Sequence, residues 1–307
     1  MILLLACTAS ESIDSADSGT PVTAGPLELV ETLDLNGTVT TKGMGIASDD
    51  TVFVWNYNQD QLEVWDGTAL TPLVTEGLIT SYGTDLVVDG EGGVVVSKGG
   101  SSVGEVLQRW DATTGEPLWG DEGLIITDGL MLGLAVADVD GQTGLYAADG
   151  AAGLIRHLSL TDGSERGTVA VDEVPLDVAV DADGTHYVLT AAVSNPLTKG
   201  DPVTLRKVDA SGAQLASVSV TGGIYLTLVD GLLYISATDF EGDTRRIITA
   251  DTDLNLLAET DLPESYDGYT GGITATGSGV DRRIYIAAQE GTGSGPICDV
   301  LVYKEVE

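Results

Sequence analysis

Trp110-Asp111-Ala112-Thr113-Thr114-Gly115 closes one apolar run and opens the next, and variants of it return along the chain. They are Trp65-Asp66-Gly67, Leu160-Thr161-Asp162-Gly163, Val208-Asp209-Ala210-Ser211-Gly212 and Ala250-Asp251-Thr252. Their spacing is roughly 40 to 50 residues, and short apolar or alternating runs fill the intervals. An aspartate carboxylate accepts N–H groups of its own turn, and glycine supplies the backbone angles a tight reversal needs, so each landmark reads as a strand-turn-strand junction. A period of this length made of strands, with no helical i, i+3, i+4 spacing, predicts an all-β fold of radially arranged four-stranded meanders, a β-propeller.

The repeats parse into blades from the inside outward. The first uses Gly43–Ser48, Thr51–Tyr57, Gln61–Asp66 and Ala69–Thr75, and the second Gly83–Asp89, Gly93–Lys98, Val106–Asp111 and Gly115–Trp119. Three more follow with inner strands at Leu132–Asp138, Leu176–Val180 and Ile224–Val229. The last offers Gly272–Thr276, Arg283–Ala288 and Asp299–Lys304 and lacks an outer strand. Leu27-Glu28-Leu29-Val30-Glu31-Thr32-Leu33-Asp34-Leu35, at the other end, alternates well and fits beside the C-terminal strand, removing two exposed edges at once. Six blades of about 47 residues are expected, with seven of about 40 as the fallback.

Of the 307 residues, 48 are acidic and 13 basic, a net charge of −35. A surface of that sign repels phosphate backbones and anionic lipid headgroups, which sets nucleic-acid binding and electrostatic membrane adsorption aside. The carboxylates are spread over all repeats, as expected for solubility in a salty medium, with Ca²⁺ binding as the alternative. Asp89-Gly90-Glu91-Gly92, Asp138-Val139-Asp140-Gly141 and Asp181-Ala182-Asp183-Gly184 lack the further oxygen ligands and distal Glu of an EF-hand, so they read as hairpin turns between inner and second strands.

Met1-Ile2-Leu3-Leu4-Leu5-Ala6-Cys7 resembles a bacterial lipobox, in which the cysteine is acylated. The Ser-, Asp- and Thr-rich segment behind it has no apolar periodicity and reads as a flexible tether. The expected organisation is therefore a lipobox over 1–7, a tether over 8–26 and the propeller over 27–307. An acylated Cys7 would leave Cys298, in an apolar strand, as a small buried hydrophobe.

Asp111-Ala112-Thr113-Thr114-Gly115-Glu116-Pro117-Leu118-Trp119 resembles the repeat of quinoprotein-type propellers, Asp-x-x-Thr-Gly-x-x-x-Trp, within the wider group of WD40-like repeats. In that resemblance the glycine makes the turn and the tryptophan packs between blades, so it implies no bound quinone. It extends to the non-enzymatic propellers anchored as lipoproteins in bacterial envelopes. Lactonase-like six-bladed hydrolases hold Ca²⁺ in the channel by a Glu, two Asn and an Asp. The inner strands here offer only Asp85 and Asp177 as metal candidates. No Gly-x-Ser-x-Gly elbow, His pair of metal spacing or phosphate-cradling loop occurs.

Loops between blades, and those joining second to third strands, open on one face of a propeller. The long ones here are Trp119–Met131, Val193–Pro202, Glu264–Gly271 and Gln289–Pro296, and long loops on a rigid scaffold collect function. Candidate ligand-binding residues on this face are Asp121, Glu122, Tyr266, Asp267 and Tyr269, with Tyr82 and Tyr225 at the channel mouth. Trp65 and Trp110 are expected in the core, and Trp55 is weighed as a carbohydrate-stacking platform. The expected protein is a monomeric, non-catalytic propeller, lipid-anchored at Cys7 to the outer membrane or cell surface, binding a protein or glycan through its long-loop face without a cofactor. A Ca²⁺-dependent hydrolase at the channel mouth is the alternative.

Overall fold

The computed structural model describes residues 24–35, 43–56, 59, 61–75, 83–101, 104–126, 129–192, 202–239, 241–291 and 297–306. Six four-stranded antiparallel sheets follow one another along the chain. The N-terminal strand β1 (Leu27–Asp34) precedes the first sheet, β2 (Met44–Ile46), β3 (Val52–Asn56), β4 (Gln61–Trp65) and β5 (Leu70–Val74). The second is β6 (Gly83–Val88), β7 (Gly93–Ser101), β8 (Gly104–Asp111) and β9 (Leu124–Ile126). The third is β10 (Met131–Val139), β11 (Gln142–Asp149), β12 (Leu154–Leu158) and β13 (Glu165–Ala170). The fourth is β14 (Val174–Val180), β15 (His186–Ala191), β16 (Val203–Val208) and β17 (Gln214–Val220), and the fifth β18 (Gly223–Val229), β19 (Leu232–Asp239), β20 (Thr244–Asp251) and β21 (Leu256–Asp261). The sixth, β22 (Thr270–Thr276), β23 (Arg283–Glu290) and β24 (Ile297–Glu305), takes β1 as its outer strand.

The inner strands pack in the order β2, β6, β10, β14, β18, β22, and β22 returns to β2. The molecule is a six-bladed β-propeller. Strand β1 pairs with β24 from Leu27 opposite Glu305 to Asp34 opposite Asp299, so the two ends of the described chain close the ring within one blade. Pairing within one sheet removes the free edges that the separate strands would carry.

Burial explains the composition of each strand. Second strands lie between two neighbouring blades, so β3 and β15 are buried at every position and their sequences are continuously apolar or nearly so. Outer strands meet solvent, and β21 keeps only alternate residues partly covered. The core is divided accordingly into clusters between adjacent blades. One joins Leu189 and Leu205 to Leu226, Leu233 and Ile248 across blades four and five. Another joins Met44, Val52 and Trp65 to Tyr285 and Val300 across the closure.

Two expectations need correction. The outer strand of the second blade is Leu124–Ile126, not Gly115–Trp119. Pairing begins where expected, with Trp110 opposite Pro117 and Leu118 donating to the Arg109 carbonyl. It lapses because proline has no N–H and because Gly120 and Gly123, at φ 79° and 68°, kink the chain. It resumes opposite Glu105–Leu107. Trp55 is 1% exposed within the cluster between the first two blades, so it is core and presents no stacking face. Trp65 and Trp110 are core as expected.

Candidate functional site

The inner strands bulge at one level. Register shifts fall between Gly83 and Asp85, Met131 and Gly133, Pro175 and Asp177, Gly223 and Tyr225, and Thr270 and Ile273. A bulge re-aims the side chain that follows it. Here it places Asp85, Gly133, Asp177 and Tyr225 at equivalent positions near the start of their strands, the end of the channel on the long-loop side.

Both carboxylates are spent on backbone. Asp85 Oδ1 accepts the N–H of Leu86 at 2.8 Å, and Oδ2 that of Leu134, on the next blade, at 2.6 Å. Asp177 repeats the arrangement two blades later, accepting from Val178 at 2.7 Å and from Leu226 at 2.6 Å. Each is thus a staple between consecutive inner strands. The residue opposite must be small: a Cβ on Gly133 would stand 2.1 Å from Asp177 Oδ1, and one on Gly43 2.5 Å from the Leu86 nitrogen. Burial raises the Asp85 carboxyl to about 7 against the pull of its two N–H donors. Burial, and then the Asp85 charge, raises Asp177. The Tyr225 phenol is pushed up by burial and by both carboxylates, which brings the three groups into one electrostatic unit.

The long-loop rim is braced from beneath. Arg245 donates to the carbonyl of Gly268 at 2.7 Å and to that of Asp267, and pairs with Asp243 at 3.0 Å. Asp267 accepts the N–H of Gly291 at 2.6 Å, joining the loop before β22 to the loop after β23. Tyr266 is buried, and its hydroxyl donates to Asp299 at 2.7 Å, so it anchors the loop from inside. Tyr269 stands out, 41% exposed. A pocket of ≈ 490 Å³ lies here, lined by Asp243, Arg245, Asp261, Glu264, Tyr266 and Asp267. Asp121 and Glu122 are exposed but sit in the kink between Trp119 and β9, on the outer edge of the second blade. Tyr82, Cys7 and most of the loop from Val193 to Pro202 lie outside the described residues.

The tight-turn face is built by aspartates. Asp66, Asp111, Asp162, Asp209 and Asp251 each cap the third-to-fourth strand turn of a blade; Asp111 accepts the N–H groups of Thr113 and Thr114 at 2.9 and 2.8 Å. Their hydrogen bonds hold Asp66, Asp111, Asp162 and Asp209 below the usual carboxylate range. In the motif of the second blade Gly115 has φ 71° and Trp119 Nε1 donates to the Leu160 carbonyl of the third at 2.8 Å. Asp89 also caps its turn, accepting from Glu91 and Gly93. No group of three or more His, Cys, Asp or Glu side chains with metal-binding geometry occurs among the described residues. Among them no helix is long and apolar enough to cross a membrane. Cys298 is a buried free thiol in β24.

Sequence reasoning found Asp85 and Asp177 but not their part in joining blades, and it missed Arg245 as the brace of the rim. The signal for the first was present in Gly133, a glycine in an otherwise apolar inner strand, which marks a close approach.

No family model matches the chain, and no curated protein does. Solved structures do. The PQQ-bound aldose sugar dehydrogenase of Streptomyces coelicolor matches 93% of this chain and 99% of its own, with TM-score 0.63 and 12% identity. A streptogramin B lyase matches 92% of this chain and 88% of its own at TM-score 0.57 and 13% identity. The hydrazine synthase of Kuenenia stuttgartiensis matches 89% and 79% at TM-score 0.57 and 15% identity. The likeness is one of fold. At such identities a superfold carries unrelated chemistries, and the site alone argues function.

Proposed function

We propose that this protein is a non-catalytic scaffold propeller of a bacterial envelope, tethered through Cys7 and binding a protein partner through its long-loop face. The observation that carries this reading is the unlikeness of the two faces. One is a set of short aspartate-capped turns, with a cleft of ≈ 640 Å³ between the first two blades lined largely by turn residues such as Ser48, Thr51, Gly90, Gly92 and Thr113. The other carries the braced loop Glu264–Thr270, with Tyr269 outward and carboxylates around a pocket. An aromatic side chain on a rigid support is the kind of anchor from which interfaces draw their affinity.

The place where the described chain begins supports the same face. Pro26 accepts the N–H of Val306, and Glu305 beside it bonds Arg282 in the β22–β23 turn. The described chain thus begins on the tight-turn side, opposite the long loops. An acidic rim favours a partner with a basic surface, through steering more than through net affinity. The carboxylates at the channel, engaged with backbone N–H groups, give a hydrolytic Ca²⁺ centre little support.

Cross-linking and capture with the acylated protein in envelope membranes tests the proposal. One defined partner is expected, lost with Tyr269→Ala or Glu264→Lys and retained with an exposed tight-turn variant, Asp281→Lys. Turnover in a broad hydrolase screen, or tight one-site Ca²⁺ binding by calorimetry, would overturn it.

A further inference from the structure

We propose that Asp85 and Asp177 hold one proton and one negative charge between them, and that losing this proton loosens the inner ring at the long-loop end. The geometry points to it. The two side chains flank one dipeptide of β10: Asp177 Oδ1 crowds Gly133, and Asp85 Oδ2 takes the N–H of Leu134. They are 7% and 2% exposed, and no ion pair among the described residues reaches either. Two buried like charges flanking one dipeptide, with backbone N–H groups as the partners of both carboxylates among the described residues, cannot both be held at ordinary cost.

The groups carried by the surrounding elements do not neutralise them. Tyr225 on β18 is an acid itself. Ser97 on β7 donates to, and accepts from, the Asp85 backbone. Lys98 follows it, with its side chain outside the described residues. Glu173, just before β14, is paired with Arg206. Asp89 and Asp138 stand at the far, tight-turn end of β6 and β10. Burial acts on both carboxyls in the same direction, upward.

The consequence for stability has a fixed sign. A carboxyl whose folded-state value is raised stabilises the fold fully below its unfolded value and loses that contribution as pH rises through the folded one, for Asp85 from 3.8 to about 7. The ring is then tightest in mild acid and slackens toward neutrality, at the staples that join blades two to three and four to five. A partner-binding face sits directly above.

Infrared spectroscopy with ¹³C-labelled aspartate reads the proton directly. At about pH 6, where surface carboxylates are ionised, a protonated-carboxyl band worth one aspartate is expected in the wild type and absent from Asp85→Asn/Asp177→Asn. No such band in the wild type overturns the proposal, whether or not the variants fold. As a second measurement, the wild-type Tm should fall by roughly 2 to 4 °C from about pH 5 to about pH 8. In ~1 M salt, which screens surface repulsion and leaves a buried pair nearly untouched, that fall should persist, and the double variant should flatten it. Equal slopes for the two proteins also overturn it.

Discussion

Asp89 and Asp149 are as buried as Asp85 and Asp177, yet the two pairs live under opposite electrostatics. Asp89 meets Arg109 Nε at 2.5 Å, and Asp149 meets Arg156 at 2.8 Å, in addition to their turn N–H bonds. Asp85 and Asp177 have backbone alone. The difference is one of place in the blade, strand end against the bulge level of the inner strands. At the turns between strands a long side chain from the neighbouring third strand can reach across, as Arg109 of β8 and Arg156 of β12 do. At the axis the inner strands come so close that position 133 admits only hydrogen. A carboxylate there can be satisfied by N–H groups and cannot be neutralised by a guanidinium. The same residue type is thus an ordinary ion-pair partner beside a turn and a proton-sensitive staple where the inner strands meet.

The largest effect should come from stripping a turn-side pair, Asp89–Arg109, of its cation. Arg109 also donates to the Leu160 carbonyl of the next blade at 3.0 Å. Arg109→Ala should leave the Asp89 carboxylate buried and uncompensated and cost about 3 to 5 kcal/mol in urea unfolding. A loss no larger than that of an exposed arginine such as Arg166→Ala would mean that the turn side tolerates a bare carboxylate as the axis does, and the contrast would collapse.

Next in size is an intrusion at the axis. Gly133→Ala would set a methyl 2.1 Å from Asp177 Oδ1, and something must shift. An overpacking cost of about 1 to 3 kcal/mol is expected. Combined with Asp177→Ala, which vacates the space, the penalty of Gly133→Ala should shrink, so a double-mutant cycle measures the crowding. Strict additivity would show that the two residues do not touch.

These contrasts also mark how far the sequence could be read. Every third-to-fourth strand turn was visible, because an aspartate capping its own turn is a local device with a local signature. The closing strand was visible because β1 alternates. The split outer strand of the second blade was missed because the motif Asp111 to Trp119 is contiguous in sequence while Pro117 and Gly120 interrupt its pairing. Trp55 was ambiguous because a strand buried on both faces has no alternation to betray its orientation. The staples were only half legible: Gly133 marked a close approach but not what approaches, because Leu134 and Leu226 each lie 49 positions from their carboxylates and only the shared bulge register brings them together.

The smallest effect separates aspartates by the sign of their pH response. Asp111 is partly exposed, and its hydrogen bonds to Thr114 and Thr113 hold it below the usual carboxylate range. A lowered folded-state value means that its contribution is present above the unfolded value and vanishes as pH falls through the folded one. Asp111→Ala should therefore destabilise slightly near neutrality and make no difference in strong acid. Asp85→Asn should do the reverse in its pH dependence, losing most relative to wild type in mild acid, where the wild-type proton is held, and least above the folded-state value of Asp85. Paired urea titrations of both variants across that range would give difference curves that converge at opposite ends. Curves converging at the same end would show that burial at the axis does not govern Asp85, and that its two N–H donors outweigh the loss of water.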